Sequence, residues 1–362
     1  MTTQSVDKFL AGWSEAVAKA MATGVSANDW LGASAIQIAF PDLITVWGGL
    51  ETPLLARTGT ERAVAITDRW RDIQVAAPGE NAQIEGTLAT SLTANPVAPV
   101  VRTNTCQLMM ELITVSGSAM QEARNGVYGA AQDVADQIAQ QASVILPKFV
   151  ASIAYSSWFG LEVTQAAAAE AAARKMSGLV GTVGAGGFDD GLLTTAGRAT
   201  VTNNAGAAFD EDVLNTFLRT IVDAGAGAKF RPTAVYCSLT VQQKISQFAG
   251  MLNVQYTPGD LPNLTAGARV TKYVAPWGAV IDIVYEPQNA HSVTAANNWL
   301  AALCEPEIAS APFRGAPDEG GVVMERLPHV PDLEQANLLY EGTIRAKVFK
   351  AHGVFHNFTV SL

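Results

Sequence analysis

GAAQDVADQIAQQASVILPKFVASIAYSSW, residues 129–158, reads as one long helix. Val127, Ala131, Val134, Ile138, Ala142, Ile145, Phe149 and Ile153 recur every three or four residues and share one face. The opposite face carries Gln132, Asp133, Asp136, Gln140 and Ser143. From Tyr128 to Trp158 a continuous helix would run roughly 45 Å at ~1.5 Å per residue. Pro147 has no N–H to donate and crowds the carbonyl of Ser143, which predicts a kink. The rod holds no catalytic pair, no metal-ligand spacing and no phosphate loop. Its apolar face is expected to back a sheet, and its polar face to meet solvent or a neighbour.

Upstream, Val6, Phe9, Leu10, Trp13, Val17, Ala20 and Met21 mark an amphipathic helix over residues 6–22, an arm able to dock on something else. ERAVAITDRWRDIQV and VVRTNTCQLMMELITVSG are rich in β-branched residues and partly alternate. Between them AAPGENAQIEGTLATSLTANPVAP has turn residues and little apolar periodicity. These segments predict two antiparallel strands around an extended tip, too long to bury both faces on its own domain.

Downstream, QAAAAEAAARKMSGL favours helix by propensity, and VGAGGFDDGLLTTAG reads as an irregular loop. Asp210 can cap a helix with Val213, Leu214, Phe217, Leu218, Ile221 and Val222 on its apolar face. Phe209 and Leu214 have staple spacing, and Gly225 ends the helix. TAVYC (233–237) is a short buried strand. Thr240 and Gln243 have capping-box spacing for a helix with Val241, Ile245 and Phe248 that ends at Gly250. RVTKYVA and AVIDIVY flank the turn PWG as a hairpin, and NNWLAALC is a further strand. LLYEGTIRAKVFKAHGVFHNFTV alternates as one or two long strands. The fold class is α+β.

Of the 362 residues, 49% are hydrophobic and only 15% charged, a globular composition that leans towards an oligomer. Net charge is −10, with no Lys/Arg cluster, which argues against sequence-specific nucleic-acid binding. Cys106, Cys237 and Cys304 form no C-x-x-C and read as small buried hydrophobes in a reducing compartment. The first residues lack the basic-then-apolar order of a secretory signal, and no apolar run approaches ~18 residues, so the expectation is a protein made and used in a cytosol. Asn263-Leu-Thr and Asn357-Phe-Thr then read as chance sequons.

The chemistry-bearing residues are sparse. Gly184–Gly187 is glycine-rich, but no Gly-Lys-Ser/Thr follows, so a flexible loop is expected rather than a phosphate cradle. His352 and His356 lie in strand-like sequence, where four residues separate them by roughly 13 Å, too far for one zinc. Asp189-Asp190 reads as a solvated pair and Glu211-Asp212 as the acidic start of a helix. No G-x-S-x-G is present. No catalytic, cofactor-binding or metal residue is assigned, and an enzyme is not expected. A hydrolase using groups near Asp189, His352 or His356 is the alternative of a different class.

The order of these elements resembles the major capsid proteins of tailed bacteriophages, the Hong Kong 97-type fold. FPDLITVWGGLETPLLARTG resembles that family's entry to its extended loop, and RTNTCQLMMELITVSGSAMQEARNGV the strand before its spine helix. ARKMSGL (173–179) is similar to the phrase that follows the spine helix. LNTFLRTIVDAGAGAKFRPTAVYCSLTVQQKISQF resembles the helix, corner, strand and second helix of its axial domain, and EGTIRAKVFKAHGVFHNFT its final peripheral strand. The matches run from about Phe40 to Phe358; residues 1–39 match less clearly, and QAAAAEAAA departs from the pattern.

The resemblance implies an N-terminal arm (1–56), an extended loop (57–110), a peripheral domain with the spine helix (111–204 and 306–362) and an axial domain (205–305). It implies a shell subunit that forms hexamers and pentamers of an icosahedral head around double-stranded DNA contacted non-specifically. Scaffold or protease, portal and decoration proteins would be partners, no membrane or cofactor is involved, and assembly would take place in the bacterial cytoplasm. An encapsulin-type compartment shell shares the fold. Covalent Lys–Asn crosslinking, seen in some relatives, is not licensed by any motif here.

Overall fold

The computed structural model describes residues 51–73, 99–117, 134–164, 173–184, 187–195, 198–224, 230–248, 271–288, 298–315, 321–327 and 333–360, with the backbone alone for 134–140, 182–184 and 187–190. The expected N-terminal arm helix and the loop tip lie outside them. The elements are α1 (Pro53–Arg57), β1 (Gly59–Thr60), β2 (Thr67–Asp72), β3 (Val100–Thr105), β4 (Gln107–Ser116) and α2 (Val134–Phe159). They continue as β5 (Gly181–Gly184), β6 (Gly187–Asp190), β7 (Thr200–Asn203), α3 (Glu211–Ala224), β8 (Ala234–Cys237) and α4 (Leu239–Ser246). The chain then forms β9 (Lys272–Val274), β10 (Val280–Tyr285), β11 (Asn298–Leu303), β12 (Ile308–Pro312), β13 (Val322–Arg326), β14 (Leu333–Ala346) and β15 (Gly353–Phe358).

Two large sheets and two separate two-stranded pairs, β2–β3 and β5–β6, carry the strands among the described residues. The five-stranded sheet is built on β14. One edge of β14 pairs with β4, from Leu333 opposite Ser116 to Gly342 opposite Gln107. Its other edge pairs first with β13 and then with β12, and β12 takes β1 in parallel. The helix α2 lies on this sheet. Ala142, Leu146, Phe149 and Ile153 pack against Ile113, Val115, Val322, Ala336, Leu338 and Tyr340, and Ile145 is half-buried beside them. Thus Leu146 takes a central place for which the spacing argument chose Ile145. Val127 and Ala131, and the side chains of Val134 and Ile138, are outside the described residues.

α2 is one helix of 26 residues, and Pro147 lies inside it rather than at an end. Its length is about 39 Å at ~1.5 Å per residue. An interior proline costs about 3 kcal/mol. Ala142 and Leu146 on one side and Phe149 and Ile153 on the other are all seated on the same sheet, and their burial offsets that cost.

The six-stranded sheet has the order β7-β15-β11-β8-β10-β9. Its centre is apolar on both faces. Val235, Cys237, Leu300 and Ala302 face α3 and α4, whereas Ala234, Tyr236, Trp299, Ala301 and Leu303 face the end of α2. Trp158 meets Tyr236 and Trp299 edge-on at 5.4 and 5.5 Å between ring centroids. α3 begins as the sequence predicts: the Asp210 carboxylate accepts from Val213 N at 2.8 Å, and Phe209 and Leu214 are buried in one cluster.

The cap of α4 is Ser238, whose hydroxyl accepts from Val241 N, not Thr240. Residues 181–184 and 187–190 are not irregular but pair as antiparallel strands, with Gly184 opposite Gly187. Residues 173–179 are not helical: Lys175 bridges Val163, and the hydrogen bonds described below outweigh helix propensity. β4 pairs with β14 from Gln107 onwards, so the sheet begins before residue 111. β15 belongs to the six-stranded sheet, between β7 and β11, rather than with the rest of 306–362. Its nearly continuous burial suits a strand covered on both faces.

Candidate assembly surfaces

β2 and β3 form a hairpin that leaves the five-stranded sheet, in register from Thr67–Thr105 to Asp72–Val100. Side chains alternate across it. One face is fastened to the body. The amide of fully buried Asn104 donates to the carbonyls of Ser177 (3.0 Å) and Ile344 (2.9 Å), and accepts from Ser177 N (2.8 Å). The Arg345 guanidinium grips buried Asp68 with two nitrogens, one at 2.6 Å, and reaches Glu61 at 2.7 Å. Lys347 also contacts Glu61. Burial pushes the Glu61 carboxyl up, but the hydrogen bonds from Lys347 and Arg345 outweigh it and hold it below its ordinary value. The bond to Asp68 raises Arg345 in turn. Arg102 stacks over Phe349 at 4.9 Å.

The other face looks outward. Arg69, Arg71, Val101 and Thr103 are exposed there, with Arg62 nearby and Val64 87% exposed. On β4 the side chains facing α2 are Met109, Ile113 and Val115. The alternate ones, Leu108, Met110 and Leu112, point away and are exposed, Met110 by 58%. A row of three large apolar residues on an edge strand is unusual for a surface that meets only water.

The end of α2 is sealed by residues that follow it. Gly178 N donates to Gly160 O (2.8 Å), Leu179 N to Ser157 O (2.8 Å) and Val180 N to Trp158 O (2.9 Å). Carbonyls of the last helical turn are thereby satisfied. The next layer repeats the device: Leu192 N and Leu193 N donate to the carbonyls of Gly178 and Leu179. A Cβ on Gly178 would lie 2.6 Å from the backbone of Gly160 and Trp158, so only glycine allows this approach.

The residues considered for chemistry are dispersed or structural. His352 and His356 are both buried in or beside β15. Burial lowers His352 to about 4, so its ring is neutral. Asp189 and Asp190 lie on β6, where only the backbone is described, and Glu211 and Asp212 form the first turn of α3. The three cysteines are buried thiols outside any disulfide. Burial pushes Cys106 up to about 12 and Cys304 up to about 11, values of inert thiols. No group of three or more metal-ligating side chains occurs among the described residues. The residues that fasten the hairpin were missed from sequence. Asp68 and Arg345 are 277 positions apart, and no local signal joins them.

The family model for SU10 major capsid proteins matches residues 22–359. Among solved structures, the chain is similar to the cyanophage A-1(L) capsid asymmetric unit, with 14% identity, TM-score 0.54, and coverage of 88% of this chain and 96% of that one. It is similar to the bacteriophage PhiM1 mature capsid, with 10% identity, TM-score 0.53, and coverage of 88% and 90%. It is also similar to the capsid of a native GTA particle, with 12% identity, TM-score 0.52, and coverage of 90% and 99%. No curated protein matches the chain.

Proposed function

Because the chain belongs to the SU10 major capsid protein family, with a fold of the Hong Kong 97 type, we propose that copies of it tile a closed icosahedral phage head as hexamers and pentamers. The protein is a structural component of a capsid and not an enzyme. In this reading the six-stranded sheet is the axial part and the five-stranded sheet with α2 the peripheral part. Residues 1–56 are the arm, and the extended loop runs from residue 57 up to the start of β4 at Gln107. Double-stranded DNA is enclosed without being gripped phosphate by phosphate, in keeping with a net charge of −10. Assembly in the host cytoplasm, scaffold or protease, portal and decoration partners complete the proposal, and the finished protein resides in the virion.

The observation that carries this reading beyond family membership is the hairpin. Its base is bolted to the five-stranded sheet by Asn104 and Arg345, while its outward face and the row Leu108, Met110 and Leu112 point away from the chain's own core. Negative-stain microscopy of the concentrated protein, with scaffold supplied, should show closed shells. A stable monomer under all conditions would refute it. Deleting residues 76–96 should leave the six-stranded sheet folded and prevent closure; normal shells would remove the loop from the assembly contacts. DNA in native particles supports a phage head, and a protein cargo in its place would assign the shell to a compartment.

A further inference from the structure

Among the described residues the chain passes directly from a strand of one sheet to a strand of the other twice. Residues 304–307 lead from β11 to β12, and residues 347–352 lead from β14 to β15. The passages lie side by side, because Lys347 N donates to Glu307 O at 2.8 Å. The ring of His352 touches both. Its Nδ1 accepts from Cys304 N at 3.2 Å, and its Nε2 is 3.0 Å from the carbonyl of Lys347. A peptide N–H can only donate and a carbonyl can only accept, so the proton sits on Nε2 and the ring bridges the passages as a neutral donor and acceptor. The ring is fully buried. Water therefore cannot take over either bond.

The second passage also holds an unfavourable backbone. Val348 has φ 49° and ψ 59°, the left-handed region, which a β-branched residue rarely enters. The conformation is held on both sides: Lys347 by the His352 ring and Glu307, and Val348 O by Ala351 N at 2.8 Å. Strain of this kind persists only where the surroundings over-determine it.

We propose that His352 is the positioning residue of a joint between the two sheets, holding both passages at once, and that Val348 is the strained link about which the sheets turn when that hold is weakened. The use of such a joint rests on the shell reading, in which one chain must fit rings of both five and six members. The joint itself is a property of the subunit.

The test is hydrogen exchange on the full-length, unassembled protein. In His352→Phe, of similar volume but without ring nitrogens, amides of 304–307 and 347–352 should exchange at least tenfold faster together, while those of β4 and β8 keep their wild-type protection. Faster exchange confined to the immediate neighbours of residue 352, or no change, overturns the joint. If His352→Phe does not fold, His352→Gln replaces it. Its amide can keep one of the two bonds, so at least one passage should exchange faster with β4 unchanged, and wild-type exchange in both passages overturns the proposal. Val348→Asn, which suits the left-handed region, should slow exchange across 347–352; acceleration there would show that Val348 is not strained. Shell diameters by electron microscopy then address use. If wild-type shells form and those of the folded variant are equally uniform, the joint has no role in shell geometry. If the wild type forms none, the shell reading fails while the exchange result stands.

Discussion

Replacing Asn104 by Ala should loosen the base of the extended hairpin more than any exposed substitution within it. Asn104 is fully buried on β3 and makes three hydrogen bonds, to the carbonyls of Ser177 and Ile344 and from the N–H of Ser177. Each buried bond contributes about 1 kcal/mol net, and removing one partner withdraws compensation from the groups left behind at about 1–3 kcal/mol each. Three bonds without that penalty amount to about 3 kcal/mol, which we take as the expected loss. By comparison Thr103→Ala, one residue away and facing outward, should change stability by less than about 0.5 kcal/mol. Urea unfolding of the unassembled protein gives both values. Limited proteolysis provides a local readout, since under native conditions the variant should be cut near 99–105 sooner than wild type. A loss below about 1 kcal/mol for Asn104→Ala, with unchanged proteolysis, would refute the claim that this amide anchors the hairpin.

The remaining expectations concern charge, pH and backbone. Arg345→Met strands the buried Asp68 carboxylate beside an apolar side chain and should cost roughly 3–5 kcal/mol in urea unfolding; a neutral result would mean that the ion pairs contribute nothing to the native state. Burial lowers His352 to about 4 and raises Glu286 to about 7, so the two act in opposite directions. The His352 contribution is present above the ordinary histidine pKa and lost as pH falls towards 4, whereas that of Glu286 is present below the ordinary carboxyl pKa and lost as pH rises through 7. Glu286→Gln should therefore stabilise the protein by roughly 3 kcal/mol at pH 8 and leave it nearly unchanged at pH 4, and equal urea midpoints for the two proteins at pH 8 would contradict this. Gly178→Ala places a methyl 2.6 Å from backbone atoms of Gly160 and Trp158. It should cost about 3 kcal/mol in thermal unfolding. Gly206→Ala, with φ +80° but open space around it, should cost only about 1 kcal/mol.

What could be read from the residues was local. Phe209, Asp210, Leu214 and the stripe to Ile221 fall within thirteen positions, and the structure reproduces that helix with its cap and staple. The PWG turn and its flanking strands were equally legible because turn chemistry and alternation sit together. The failures share another property. Residues 173–179 have helical propensity, yet the N–H groups of Gly178 and Leu179 go to the carbonyls of Gly160 and Ser157 at the end of α2, and those of Lys175 and Ser177 go to Val163 and Asn104, demands invisible within the segment. The final strands alternate continuously, so nothing marked the corner at Val348 that sends β14 and β15 to different sheets. Ser238 replaced Thr240 as the cap because both precede an apolar run and geometry alone chooses between them. The outward rows of β2, β3 and β4 were foreseeable only as an excess of unburied strand, since alternation says which residues share a face but not which face meets the core.

The groups that hold the hairpin against the body come from the far end of the chain. Arg345 and Lys347 fasten residues 61 and 68, and the carbonyl of Ile344 receives Asn104. During synthesis the hairpin strands leave the ribosome some 240 residues before the side of β14 that secures them. A fragment that stops short of residue 344 thus possesses every outward-facing group of the hairpin and keeps the Ser177 bonds to Asn104, but lacks the carbonyl of Ile344 and the cations of Arg345 and Lys347. The fold in this way makes complete fastening of that outward face conditional on a chain that reaches residue 347.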